Sequence, residues 1–193
     1  MNENRIFANI QKHIRLSDFE KEHFLSLIRT KFIARKDFLV NQNQKCRSIF
    51  FVETGSLRAF HIDDNGKEST IMFAIRDWWI TDMNSFVNQE EALFSIEALE
   101  KSVVLELDFN LLETLYIEIP KFERFFRILM QNAYIREQLR SIQNLSHTAE
   151  ERYDKFIHKY PAILPHITQK QLASYLGITP EFLSMLRAKK LQS

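Results

Sequence analysis

The sequence predicts an α+β chain: an antiparallel β-roll of jelly-roll type (a double-stranded β-helix), then one long helix, then a small helical unit. Three observations predict it. Between residues 31 and 108, short β-branched and aromatic runs alternate with turn residues, a spacing that fits a closed roll. From Lys121 to Leu145 a helical period runs with no Gly or Pro. From Ile167 to Leu186, "ITQKQLASYLGITPEFLSML" reads as two short capped helices around a sharp corner.

Residues 3–30 read as helical, with Phe19, Phe24, Leu25 and Ile28 on one face after a Ser17/Asp18 start. The period then shortens. "KFIARKDFLV", "SIFFVETGSLRAFHID", "KESTIMFAI", "ALFSIEALE" and "SVVLELD" are the strand runs, broken at Gly55 and at "DDNG" over 63–66. The Asn65-Gly66 pair predicts a two-residue type I′ hairpin, whose central positions both need φ > 0. These elements make a first unit over residues 1–118.

The second unit, residues 119–145, is the long helix, about 37 Å at 1.5 Å per residue. Pro120 suits its first turn, where a missing N–H costs nothing. Phe122, Phe126, Leu129 and Ala133 form one apolar stripe, suited to covering the roll. Ile128, Asn132, Ile135, Leu139 and Ile142 form a second, stepping by four and three. That spacing fits the seam of a homodimer, with Asn132 fixing register. Packing of both stripes within one chain is the alternative.

The third unit, residues 146–193, opens with a helix from Thr148 to Pro161 and a "PAILPH" linker. Thr168 and Gln171 then form a capping box, Gly177 ends the helix, and Thr179-Pro180 start the next. Leu172, Ala173, Leu176, Ile178, Leu183 and Leu186 form an inner face. This is a helix-turn-helix pattern, and such a second helix fits the DNA major groove. The candidate DNA-binding residues are Gln169, Thr179, Glu181, Ser184, Met185, Arg187 and Lys189. The leading ones reach base edges and the late cations reach phosphates. The partner predicted is double-stranded DNA carrying an inverted repeat.

Charge agrees. The chain carries +1 overall, but residues 147–193 hold seven Lys/Arg against four acids. Other classes find no support. A single cysteine, Cys46, cannot form an intrachain disulfide, a CxxC-type zinc site or a cysteine-ligated iron–sulfur cluster. His61 is the roll's one histidine, too few for a cupin-type metal centre, and no phosphate loop or nucleophile elbow occurs. We therefore expect no catalytic residues, no metal and no cofactor. With no leader-like segment and no long apolar run, the expected address is cytoplasmic, with no membrane partner.

The order of helix, roll, long helix and C-terminal helix-turn-helix resembles the Crp/Fnr family of bacterial transcription regulators over nearly the whole chain. "FFVETGSLRAF" resembles a roll strand of that family, and "SYLGITPEFLSMLR" its DNA-reading motif, in a version common in Bacteroidetes-like regulators. The resemblance implies a homodimer on a two-fold operator, a cyclic-nucleotide-binding-like roll as sensor, and leaves a contact with RNA polymerase open. Two departures follow. Cyclic-nucleotide-binding members carry Gly-Glu-Leu and, some ten residues on, Arg-Ser/Thr-Ala. Here Thr81-Asp82-Met83 and Ala92-Leu93-Phe94 stand in those places, with Glu90, Glu91 and Glu97 near by. A phosphate would meet repulsion, so cyclic AMP and cyclic GMP are not expected to bind. A pocket near Trp78, Trp79, Asp82, Met83, Phe86 and Phe94 could hold an unknown small apolar effector, though filling by its own side chains is the default reading. In the reading helix, arginines common in the family are absent at Pro180 and Met185, which predicts an operator without the usual G-rich half-site. The same absence motivates the alternative: a dimeric protein-interaction or small-ligand module that has lost DNA binding.

Overall fold

The structure, a computed structural model, describes residues 4–191. Two N-terminal helices, α1 (Asn4–Ile10) and α2 (Asp18–Leu27), precede eight strands: β1 (Arg29–Ile33), β2 (Phe38–Val40), β3 (Ser48–Thr54), β4 (Ser56–Ile62), β5 (Glu68–Ile75), β6 (Trp79–Ile80), β7 (Ser95–Ala98) and β8 (Ser102–Asp108). A short α3 (Met83–Asn88) lies between β6 and β7. After the strands come α4 (Phe109–Glu118), α5 (Lys121–Ser146), α6 (Ala149–Lys159), a 3₁₀ turn (Pro161–His166), α7 (Gln169–Leu176) and α8 (Pro180–Leu191).

The strands form two four-stranded antiparallel sheets, in the orders β1-β8-β3-β6 and β2-β7-β4-β5. β3 shows why the chain needs so many phenylalanines. Its side chains alternate between two cores. Phe50 and Val52 point between the sheets, toward Leu57, Ala59 and Ile96. Ile49 and Phe51 point outward, into a second core built with α1, α2, α4 and the start of α5. Both faces are buried, so the strand reads as a continuous apolar run. Gly55 links β3 to β4 at φ +88°, and a Cβ there would lie 2.2 Å from Ser102 Oγ.

Four local expectations need correction. The predicted N-terminal helix is two helices, split at residues 11–17, where Ser17 makes a reciprocal capping box with Glu20. Phe19 does not join its inner face; it is 77% exposed and stacks on His23. "KFIARKDFLV" is not one strand but β1 and β2, in different sheets, separated by a turn with Lys36 at φ 73°. The Asn65-Gly66 hairpin exists but is not type I′. Only Gly66 has positive φ, its N–H donates to the Asp63 carbonyl, and the Asp63 carboxylate accepts from the N–H groups of Asn65 and Lys67. A carboxylate that organises its own turn makes a left-handed Asn65 unnecessary.

The two stripes of α5 differ in burial. Phe122 and Phe126 are buried, with Leu129 and Ala133 half-buried behind them, and Phe125, not singled out above, is fully buried too. Among the described residues the second stripe is left largely open. Ile128 is half-buried, Asn132 is exposed, and Ile135, Leu139 and Ile142 are 51–56% exposed.

Candidate nucleic-acid interface

Residues 168–191 build a helical corner from local rules. Thr168 Oγ1 accepts from the N–H of Gln171, and the Gln171 side chain accepts from the N–H of Thr168. Gly177, at φ 67°, turns the chain, and the Ile178 N–H donates to the Ala173 carbonyl. Thr179 Oγ1 accepts from the Phe182 N–H and caps α8. Leu172, Ala173, Leu176, Leu183 and Leu186 are buried, and Ile178 is half-buried. A third core joins all of these but Leu186 to Tyr153 and Phe156 of α6 and to Phe73 and Leu99 of the roll.

Glu181, Ser184, Met185, Arg187 and Lys189 all lie on the exposed side of α8. Phe182, left open above as core or surface, is 42% exposed. The other two predicted residues have jobs inside the fold. Gln169 Nε2 donates to the Pro180 carbonyl, tying the two helices together, and the Thr179 hydroxyl is spent on the cap. Lys189 Nζ lies 3.8 Å from a Glu150 carboxylate oxygen with its side chain 74% exposed, a pairing loose enough to exchange for a phosphate. Arg152 was missed from sequence. Its guanidinium donates to the carbonyls of Leu176 and His147, closing the C-terminal end of α7 with a cation. No local period marks that contact.

The predicted effector residues divide. Trp79 belongs to the outer core, against Phe51, Phe125 and Phe126, with its indole N–H on Asn9. Asp82 is fully buried and caps α3. One of its oxygens accepts from the Ser85 N–H; the other accepts from the N–H groups of Leu93 (2.7 Å) and Phe94 (3.2 Å). Backbone amides of that kind can hold an external anion, and here the chain's own carboxylate holds them. Trp78, Met83 and Phe94 line a cavity of about 1180 Å³ between the roll, α5, α6 and α7. Trp79, Asp82 and Phe86 are themselves buried, and the open space lies between the roll and the helices that follow it. Among the described residues no group of three or more His, Cys, Asp or Glu is placed to hold a metal ion.

Residues 30–118, which span the roll, match the cyclic nucleotide-binding domain model. The regulatory protein HlyX of Actinobacillus pleuropneumoniae is 25% identical over 183 residues, covering 89% of this chain and 75% of that protein. The anaerobic regulatory protein of Pasteurella multocida is 25% identical over 169 residues, and the chain spans 61% of its length. A solved structure from Eubacterium rectale, described as a transcriptional regulator of the Crp/Fnr family, superposes with TM-score 0.72 at 18% identity, covering 92% of this chain and 85% of that one. In fold the chain is like that Crp/Fnr-type structure. The roll is the cyclic-nucleotide-type domain of that architecture, α5 its long helix and α7–α8 its helix-turn-helix. No helix among the described residues is long and apolar enough to cross a membrane.

Proposed function

We propose that the chain is a homodimeric, sequence-specific DNA-binding transcription regulator of the cytoplasm, and not an enzyme. The observation that carries this is α8: its inner face is buried, its start is capped, and Glu181, Ser184 and Met185 precede two cations on an open surface. The relatives named as regulatory proteins support the same reading. The finer kinship, with Bacteroidetes-like regulators, rests on "SYLGITPEFLSMLR" alone.

Lys189 and Glu181 separate positioning from specificity. Lys189→Ala removes a phosphate contact, so binding weakens on every sequence and the salt slope falls by about one unit. Glu181 can accept from a cytosine amino group. Glu181→Ala relaxes preference at one position of each half-site, with little change in salt slope. Half-site centres stand about 34 Å apart, one turn of DNA. Operator selection on the purified protein is the test. A pool with no enriched inverted repeat rejects DNA reading in favour of the dimeric protein-interaction module, which the missing arginines at Pro180 and Met185 favour.

The roll, on this proposal, does not answer to cyclic AMP or cyclic GMP. Asp82 already occupies the Leu93 and Phe94 amides, and no arginine stands beside them in "EALFS". A phosphate arriving there would have to displace a buried carboxylate and then meet its charge. Calorimetry with either nucleotide should give no heat of binding; micromolar affinity for one of them would reverse the argument.

A further inference from the structure

We infer that the cavity between the roll and α5–α7 is a binding site for an amphipathic anion: an apolar body with one carboxylate head. Its lining is of two kinds. Ile71, Met72, Ile80 and Phe94 of the roll and Leu129 and Ala133 of α5 supply the apolar part. This is a lining for hydrocarbon, and it contains no unbonded charge: Asp82, at its edge, is consumed by three backbone amides.

Two arginines of α5, one helical turn apart, supply the charged part. Arg140 stacks on Tyr175, 4.5 Å from the ring centre, and donates to the Thr70 carbonyl. Arg136 stacks on Trp78 at 5.0 Å and, among the described residues, makes no hydrogen bond or ion pair. The acids on this wall do not cancel the charge. Asp154 is paired with Lys190, which leaves Glu137 alone against Arg136, Arg140 and Lys159. A half-buried guanidinium with five donors and no acceptor is a site for a carboxylate. Arg136 can accept one without breaking any hydrogen bond.

The walls give the site a readout. Tyr175 and Leu176 of the lining belong to α7, which shares a core with α8. An occupant that braces α7 against the roll and α5 would change DNA affinity, and DNA would change its affinity by the same factor. That consequence rests on the regulator reading; occupancy does not, and it is measured without DNA.

Trp78 reports on the site, because a carboxylate that engages Arg136 alters the cation beside the indole. The probes are dodecanoate, 1-naphthoate and dodecan-1-ol, titrated into the full chain while tryptophan emission is followed. We expect saturable binding of at least one acid, with the alcohol at least tenfold weaker than dodecanoate or inert. Dodecanoate binding identifies a flexible-chain occupant, and naphthoate binding alone a flat ring. Arg136→Met should weaken the acid at least tenfold and leave any alcohol binding unchanged. Failure of both acids to bind overturns the inference, as does equal binding of acid and alcohol, which needs no head-group site. Because no DNA is present, a failed operator selection leaves these isotherms standing, and failed isotherms leave the operator result standing.

Discussion

Ile135→Glu and Leu139→Glu should each convert the protein from dimer to monomer, with the apparent mass in light scattering falling by half. Among the described residues nothing covers the part of the stripe they interrupt. Ile135, Leu139, Ile142 and Leu145 are 51%, 52%, 56% and 90% exposed on a helix whose other face is in the core. Burying what remains of four such side chains on each protomer releases on the order of 1 kcal/mol apiece. Summed over two protomers, that is comparable with the cost of association. The seam therefore has little surplus to lose. A glutamate at its centre would face its symmetry mate across an apolar strip, unpaired and desolvated. A loss of at least 2–3 kcal/mol, roughly a hundredfold in dimer affinity, follows. Both positions lie outside the roll cores, so each variant should keep its helical signal. If both remain dimeric at micromolar concentration, the seam lies elsewhere. Asn132, exposed at the same stripe, makes a milder companion: Asn132→Leu should keep the dimer and blur its register.

How far the sequence reached depended on how far apart the deciding residues are. The capping boxes at Thr148 and Thr168, the glycine corner and the two stripes of α5 are set within a few residues, and the structure has them where the pattern says. The split of the N-terminal helix was hidden because Ile14 and Leu16 are buried and continue the apolar period through a segment that is not helical. The role of Asp82 was hidden for another reason. Its partners lie eleven and twelve residues on, across α3, and in the sequence it is one acid among several. Arg58 was hidden most completely. In "SLRAF" a charge between Leu57 and Ala59 reads as the solvent face of a strand, yet Arg58 is 2% exposed. Its cover comes from α7, more than a hundred residues away, where Ser174 accepts from the Thr70 N–H and donates to the Glu68 carbonyl. No local period can announce that β5 has a helix on its edge.

Arg58→Ala should be the most damaging single change to stability. The guanidinium donates from Nε to Thr70 Oγ1 (2.9 Å) and from Nη1 to Glu68 (2.8 Å) and Glu97 (3.0 Å), and it lies 4.2 Å from the Phe60 ring centre. Without it Glu68, 39% exposed, can turn to water. Glu97, 14% exposed, cannot; it keeps only the Gln171 amide at 3.3 Å. Removing one partner of a buried ion pair costs about 3–5 kcal/mol, because the other charge stays desolvated. For a chain of this size that lowers the melting temperature by on the order of 10 °C. The loss should also appear at a distance. Glu97 meets α7 through Gln171, so an unneutralised carboxylate there loosens the helix-turn-helix from the roll. Limited proteolysis should then cut sooner between residues 161 and 168. The double variant Arg58→Met with Glu97→Gln tests the cause. It removes both charges and leaves a neutral side chain facing Gln171, so most of the lost stability should return and the linker should regain its resistance. If the double variant is as unstable as the sum of its singles, the guanidinium acts by packing on Phe60, and charge is not what fastens α7 to the roll.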